Sequence, residues 1–196
     1  LETEGLNIGI ATAIANATRL RITYTGRADH SGATPMHLRR DAFVAASHLT
    51  TYVETVCREA PAEVVGTVGV VRVHPCAMNV IPGRVELGVD LRSTLESAKD
   101  TLEEQIKTQA ETIAFERELN VEIERLSRGV PVAMESKMVN LLEEVCQSEA
   151  LSYQLMPCGA GHDAMQIARI AETGLILIPC RDGISHNPAE WTELEE

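Results

Sequence analysis

Alternation of hydrophobic and polar residues marks several short segments of this chain, and each predicts a half-buried strand. In the first segment, Leu20, Ile22 and Tyr24 alternate with polar neighbours, and Gly26 ends the run. A second segment is rich in valine, which favours a strand by composition. The four predicted strands cover residues 18–25, 64–73, 84–92 and 121–124.

Helical periodicity fills two of the gaps between these strands. Residues 38–58 carry one apolar stripe, which predicts an amphipathic helix closed by Pro61. After the third strand, Ser93 and Glu96 match a capping box and predict the start of a second helix. The apolar stripe of this second helix consists of Leu95, Leu102, Ile106 and Ile113.

The predicted order over residues 18–128 is β-α-β-β-α-β. This order is that of the split-βαβ, ferredoxin-like domain, which has four antiparallel strands and two helices on one face. Such a domain has an open edge strand and an exposed helical face. Both favour pairing with a second copy, so the architecture predicts a homodimer.

Gly129 and Pro131 mark the end of this domain. The pattern beyond them predicts a helix around residues 138–145, a glycine-rich turn leading into a short helix, and a fully buried strand at 175–178. Together with residues 1–17, the segment 129–196 is expected to form part of an α/β layer. The predicted fold class is therefore α/β, with a ferredoxin-like domain inserted.

Composition and charge narrow the function further. The 196 residues are 44% hydrophobic and carry a formal charge of −12. This negative charge argues against nucleic-acid binding, because phosphate binding needs clustered lysine and arginine. We expect no membrane span, because no apolar run approaches the roughly 20 residues that a bilayer requires. The N-terminal residues are not expected to be a signal peptide. The five cysteines are scattered and odd in number, which is typical of reduced thiols in a cytoplasmic protein.

Four clusters of residues could carry chemistry. Each has an ordinary structural interpretation when it is taken singly. A loop histidine is usually a surface residue, an NVIPG segment suits a turn, a glycine-rich run can simply lead into a helix, and Asp163 can cap one. The clusters read DHSGATPM at 29–36 with RRDA at 39–42, NVIPG at 79–83 followed by DLR at 90–92, GAGHDA at 159–164, and SHNPAE at 185–190.

Together the clusters resemble the M20-type metallohydrolases, and within them the carbamoylase-like amidohydrolases. That group includes N-carbamoyl-L-amino-acid hydrolases, allantoate amidohydrolases and β-ureidopropionases. The HSGATPM and RRDA stretch is the most specific motif, and the resemblance runs from Leu1 to Glu190. It implies a zinc-peptidase-like catalytic domain at 1–17 and 129–196, and a lid domain with the dimer contact at 18–128.

The resemblance also implies roles for individual residues. His30 matches a lid histidine that reaches into the partner's active site and steadies the carbonyl oxygen, and His186 matches the last ligand of two divalent metal ions (zinc, manganese, cobalt or nickel). Asn79 and Arg92 match lid residues that hold the carboxylate of the substrate. A histidine donor suits a developing oxyanion, and a guanidinium suits a carboxylate. The residues that match a loop lining the substrate pocket are Gly159, Ala160, Gly161 and His162.

Several features of such enzymes are missing from this sequence. In the family a histidine, a bridging aspartate, two glutamates and a further histidine precede this region, and a terminal helix follows Glu190. None of them is present. Cys158 stands where a serine is common, and Ala33 stands where a threonine is common. The last two departures leave the substrate specificity open.

The sequence is thus interpreted as a fragment of a cytoplasmic amidohydrolase that cleaves a C–N bond in a small ureido or amide substrate bearing a carboxylate. In the whole enzyme a metal-bound hydroxide would attack the carbonyl. The fragment alone is predicted to be inactive. Two alternatives stay open: a dipeptidase or aminoacylase of the same fold, and a dimerisation module or decayed homologue without chemistry.

Overall fold

The computed structural model describes residues 1–61 and 64–193. The chain divides into two compact units. One, called here the insert unit, is Ala17–Val130, and the other, the flanking unit, combines Leu1–Asn16 with Pro131–Glu196. The sequence-based divisions after residues 17 and 128 lie close to these bounds, and the last three residues of the predicted 129–196 segment lie outside the described part.

The regular elements follow one another in chain order, with short connections between most of them. The strands are β1 (Ile8–Ile14), β2 (Asn16–Thr25), β3 (Asp29–His30), β4 (Val64–His74), β5 (Val80–Ile81), β6 (Arg84–Ser93), β7 (Asn120–Arg128), β8 (Val132–Ala133), β9 (Tyr153–Cys158) and β10 (Ile176–Leu177). The helices are α1 (Ala42–Glu59), α2 (Glu96–Glu116), α3 (Ser136–Ser148) and α4 (Ala164–Ile167).

The insert unit contains a four-stranded sheet in the order β4-β6-β2-β7. The β2–β7 and β4–β6 pairings are antiparallel. Helix α1 packs on β4 and β6, and α2 packs on β6 and β7. The helices and sheet enclose a core that includes Leu20, Leu49, Leu91 and Ile106, all of which are fully buried. The predicted β-α-β-β-α-β order is confirmed.

The start of α1 differs from the prediction, which placed it at residue 38. A short 3-10 turn occupies Met36–Leu38, Arg39 is extended, and Asp41 is the N-cap residue. The Asp41 carboxylate accepts hydrogen bonds from the amides of Phe43 (2.9 Å) and Val44 (3.2 Å). This cap satisfies amides that have no partner inside the helix, so the helix begins after it.

The predicted capping box at Ser93 is wrong. Ser93 is the last residue of β6, its side chain is fully buried, and its hydroxyl accepts from the Leu95 amide at 2.8 Å. Helix α2 therefore begins later, at Glu96, and its N-cap residue Leu95 provides no side-chain cap. Burial of alternate residues extends the strand through Ser93, which outweighs the local capping signal.

The flanking unit is built around β1. This strand pairs in parallel with β9 and antiparallel with the short strands β8 and β10. The amphipathic helix α3 packs on β1, and their shared core includes Ile10 and Val139. Within residues 1–61 and 64–193, none of the helices combines the length and the hydrophobicity that a transmembrane span requires.

The prediction that residues 175–178 form a fully buried strand is wrong about their burial. Only Ile176 and Leu177 form a strand, β10, whose recorded pairing is with β1. Ile176 is 48% exposed and Ile178 is 56% exposed. A fully buried strand needs covering layers on both faces, and the described residues do not supply them for β10.

Candidate functional site

His30 lies in a small two-stranded sheet that the sequence pattern did not predict. Strand β3 pairs with β5 in antiparallel fashion, so His30 lies opposite Val80. The next residue, Ser31, donates its amide to the carbonyl of Asn79 at 3.0 Å. The structure therefore brings His30 and Asn79, which are 49 positions apart in the sequence, into one exposed loop cluster.

The bonding of the His30 ring fixes its tautomer. Its Nδ1 atom accepts hydrogen bonds from the amides of Gly32 (3.0 Å) and Ala33 (3.2 Å). A backbone amide can only donate, so Nδ1 is unprotonated and the neutral ring carries its proton on Nε2. The exposed side of His30 is thus a hydrogen-bond donor.

Asp29 anchors the other side of this loop. Its Oδ1 atom accepts the His30 amide at 2.8 Å, and Arg27 lies 3.3 Å from its carboxylate. The pKa of Asp29 lies below its ordinary value, chiefly because its carboxylate accepts the His30 amide, and the Thr34 hydroxyl and Arg27 lower the pKa further. The carboxylate is therefore charged at neutral pH and keeps the loop in this conformation.

Two glycines allow the loops of this cluster to approach one another. A Cβ atom on Gly26 would lie 2.1 Å from the Arg40 carbonyl, and one on Gly83 would lie 2.7 Å from the Ala28 amide. The Gly26 amide donates to the Gly83 carbonyl at 2.8 Å. The backbone is thus packed too closely at both positions for any side chain.

Arg92 lies near the end of β6, on the sheet face opposite the core. Its Nε atom donates to Oδ1 of Asp90 at 2.7 Å, and Arg19 donates to Oδ2 of the same carboxylate at 2.9 Å. Burial raises the pKa of Asp90, but the bonds from Arg92 and Arg19 outweigh it and hold the pKa below its ordinary value. The Nη2 atom of Arg92 also donates to Oδ2 of Asp90, at 3.4 Å, and a guanidinium has five N–H groups, so Arg92 has donors that Asp90 does not use.

Arg92 is not part of the His30 cluster. Arg84 begins β6 next to Gly83, whose amide donates to the carbonyl of His74 at the end of β4, just before the segment that contains Asn79. Arg92 is eight residues further along the same strand. At about 3.3 Å per residue this places it roughly 26 Å from the beginning of β6. One small substrate cannot reach both places within a single insert unit.

The predicted pocket loop, residues 159–162, follows β9 in the flanking unit. Gly159, Ala160 and Gly161 are exposed, and His162 is half-buried. His162 lines an open recess of about 480 Å³ that also includes Asn16 and Gln166. The side chain of the neighbouring Asp163 makes no capping bond to α4, so a capping role for it is not observed.

His186 is exposed and has a left-handed backbone, with φ of 56°. Its amide donates to the Glu190 carboxylate at 2.8 Å, and Asn187 accepts from the Ala189 amide at 3.0 Å. Residues other than glycine rarely adopt positive φ, so local bonding holds this turn in an uncommon conformation. The turn presents the imidazole to solvent.

The described residues do not by themselves fit a two-metal centre. No group of three histidine, cysteine, aspartate or glutamate residues within residues 1–61 and 64–193 is arranged to hold a metal ion. A catalytic zinc site ordinarily uses three protein ligands. His186 could supply one of them, and the others would have to come from elsewhere.

Sequence reasoning gave no individual role to Arg39, although it belongs to the RRDA motif. In the structure its guanidinium binds two carbonyl groups of the His30 loop. Arg39 and Arg40 are adjacent, so the pattern alone could not show which of them turns toward the loop. The only signal available was the position of Arg39 just before the helix cap.

Comparison with known proteins identifies the family. Residues 9–196 match the model of the Peptidase family M20/M25/M40, so the chain belongs to this family. Members of the family in general depend on two metal ions.

Individual relatives show which kinds of enzyme within the family this chain is similar to. An N-carbamoyl-L-amino acid amidohydrolase from Geobacillus stearothermophilus is 40% identical over the whole of this chain and 48% of its own length. An allantoate amidohydrolase from Escherichia coli is 34% identical, again over the whole chain and 48% of its own length. A solved hydantoinase/carbamoylase-family amidase from Burkholderia multivorans superposes with a TM-score of 0.95 at 34% identity, over the whole chain and 47% of the amidase. The chain spans about half the length of these relatives.

Proposed function

We propose that this chain is the lid domain and part of the catalytic domain of an amidohydrolase that cleaves a carbamoyl or ureido C–N bond in a substrate bearing a carboxylate. The insert unit is the lid, and the flanking unit is part of the catalytic domain. The observation that carries the proposal is the fixed ring of the exposed His30, whose Nε2–H donor is left for a ligand in the loop cluster that also contains Asn79. Family membership and the names of the relatives support the reaction class.

In this proposal His30 donates its Nε2–H to the carbonyl oxygen of the scissile bond. The bond strengthens as negative charge develops on that oxygen, which lowers the barrier. The ring is already oriented by the Gly32 and Ala33 amides, so no reorganisation is needed at that moment. His186 supplies one ligand to a metal centre completed by residues outside this chain, and the bound metal would activate water.

Asn79 and Arg92 bind the carboxylate of the substrate. Asn79 is exposed in the same loop cluster as His30, and Arg92 offers N–H groups that Asp90 does not use. Residues 159–162 line the pocket for the rest of the substrate. The unpaired cysteines agree with a cytoplasmic protein, which stays a prediction from their pattern.

The separation of His30 and Asn79 from Arg92 supports a site shared between two copies. One chain would then contribute Arg92, and its partner would contribute His30 and Asn79. Edge strand β4 offers a surface for such a homodimer, because Val65 is 54% exposed and Val71 is 49% exposed at the end of the sheet. An exposed edge with apolar side chains favours pairing with another chain.

Replacing Arg92 by lysine in the full-length enzyme is expected to raise KM about tenfold with little change in kcat. An ammonium group cannot reproduce the two-pronged contact of a guanidinium with a carboxylate. Steady-state kinetics measure both constants. The control is Arg19→Lys, because Arg19 binds the same Asp90 carboxylate as Arg92. An unchanged KM in Arg92→Lys would mean that Arg92 serves only as the partner of Asp90.

A substrate panel tests the reaction class. The full-length protein should hydrolyse N-carbamoyl amino acids or ureido acids with a kcat/KM at least about tenfold higher than for dipeptides and N-acetyl amino acids. A site that binds ureido N–H groups discriminates in this way, because a substrate without those groups leaves the polar groups of the site unpaired. Faster cleavage of dipeptides or N-acetyl amino acids would favour the dipeptidase or aminoacylase alternative. No hydrolysis of any member, with metal supplied, would favour a module without chemistry.

A further inference from the structure

The guanidinium of Arg39 is directed at the backbone of the His30 loop. Its Nε atom donates to the Thr34 carbonyl at 3.1 Å, and its Nη2 atom donates to the Ser31 carbonyl at 2.5 Å. Arg39 is half-buried, and no carboxylate within the described residues forms an ion pair with it. A half-buried cation is costly unless its donors are used, and here two loop carbonyls use them.

The neighbouring Arg40 behaves differently. It is exposed and pairs with the carboxylate of Glu118, an interaction that contributes little at a surface. Two adjacent arginines thus have distinct contacts. Of these two side chains, the one that bonds to the loop carrying His30 is that of Arg39.

The bonds of Arg39 bracket the segment that orients the imidazole. Ser31 and Thr34 enclose Gly32 and Ala33, whose amides hold Nδ1 of His30. Arg39 donates to the carbonyls at both ends of this short segment, and the Ser31 amide donates to the Asn79 carbonyl. Without Arg39, this segment would lose two of the bonds that fix it and would keep the backbone bonds of Ser31, Ala33 and Thr34.

We propose that Arg39 is a positioning residue that acts through His30. It does not touch the substrate; it holds the His30 loop so that the Nε2–H donor is already aimed at the carbonyl oxygen. This inference rests on the proposed function of His30. A small displacement of a catalytic group costs far more in rate than in binding.

The test compares variants of the full-length enzyme. Arg39→Ala is expected to lower kcat at least about tenfold while KM stays within about twofold, because the loss appears mainly in the transition state. Arg40→Ala removes the same charge from the adjacent position and should leave both constants within about twofold of the wild type. Millimolar methylguanidinium should partly restore the kcat of Arg39→Ala, whereas methylammonium should not. Equal kcat values for Arg39→Ala and Arg40→Ala, or no selective rescue, would overturn the inference.

A double-mutant cycle separates this inference from the proposed function. If Arg39 acts through His30, Arg39→Ala should cause no further loss of kcat in a His30→Ala enzyme. A tenfold loss that persists in the His30→Ala background would overturn the positioning role and leave the role of His30 intact. A His30→Ala enzyme with wild-type kcat would instead refute the proposed role of His30 itself, and the Arg39 inference with it.

Discussion

The His30→Ala variant of the full-length enzyme is expected to have a kcat about 10²–10³-fold lower than the wild type, the usual cost of removing one oxyanion donor. KM should change little, because the bond to the carbonyl oxygen gains its strength as charge develops. Steady-state kinetics measure both constants. The matched control is His37→Ala, which removes an exposed histidine seven positions away that has no recorded contact with the His30 ring.

A mixing experiment shows whether His30 acts in its own subunit or in the partner. His30→Ala and His186→Ala subunits should each be inactive as homodimers. If each site combines His186 of one chain with His30 of the other, random mixing should restore about a quarter of wild-type activity, since half of the dimers are mixed and each has one intact site. If both residues act in the same chain, the mixed dimers stay inactive. A kcat of His30→Ala within about threefold of wild type would refute the oxyanion role.

The chain of 196 residues by itself is expected to bind zinc or manganese more weakly than about micromolar and to show no hydrolysis. Its described residues provide His186 but no arrangement of three candidate ligands. A single imidazole cannot hold a divalent ion tightly enough to generate hydroxide near neutral pH. Calorimetric titration of the chain measures the affinity directly.

The full-length enzyme and a His186→Ala chain are the controls for this titration. The full-length enzyme should bind metal stoichiometrically, and His186→Ala in the full-length enzyme should weaken that binding. Binding heat that persists when the His186→Ala chain is titrated would show that the metal ions bind adventitiously and not through His186. A stoichiometric site tighter than about micromolar on the isolated chain would contradict the view that the other ligands lie elsewhere.

Patterning predicted the insert unit well because its sheet has one covered face. In β6, buried Val85, Leu87, Val89 and Leu91 alternate with residues on the open face, so the period of two is clear in the sequence. Helix α1 shows an equally clear apolar stripe, because it covers the sheet with one side only. The predicted α2 stripe holds for Leu102, Ile106 and Ile113, but Leu95 precedes the helix and is 44% exposed. Burial on a single face therefore made both the element type and its order predictable.

The flanking unit was less predictable. Strand β1 was missed because its sequence IGIATAI is apolar on both faces and lacks alternation. Strand β10 was predicted as buried from composition, yet Ile176 and Ile178 are largely exposed in this chain. Burial depends on which other elements are present, and the sequence of a strand contains no information about them.

The β-α-β-β-α-β order, the motifs and the family they resemble could be predicted from the sequence, because periodicity and short motifs are local properties of the chain. The grouping of the motif residues could not be predicted in this way and depends on the three-dimensional fold. The fold joined His30 to Asn79 through the β3–β5 pairing, placed Arg92 at the far end of β6, and turned Arg39 rather than Arg40 toward the His30 loop. These groupings depend on strand register and on single hydrogen bonds between segments distant in sequence, which local patterns do not encode.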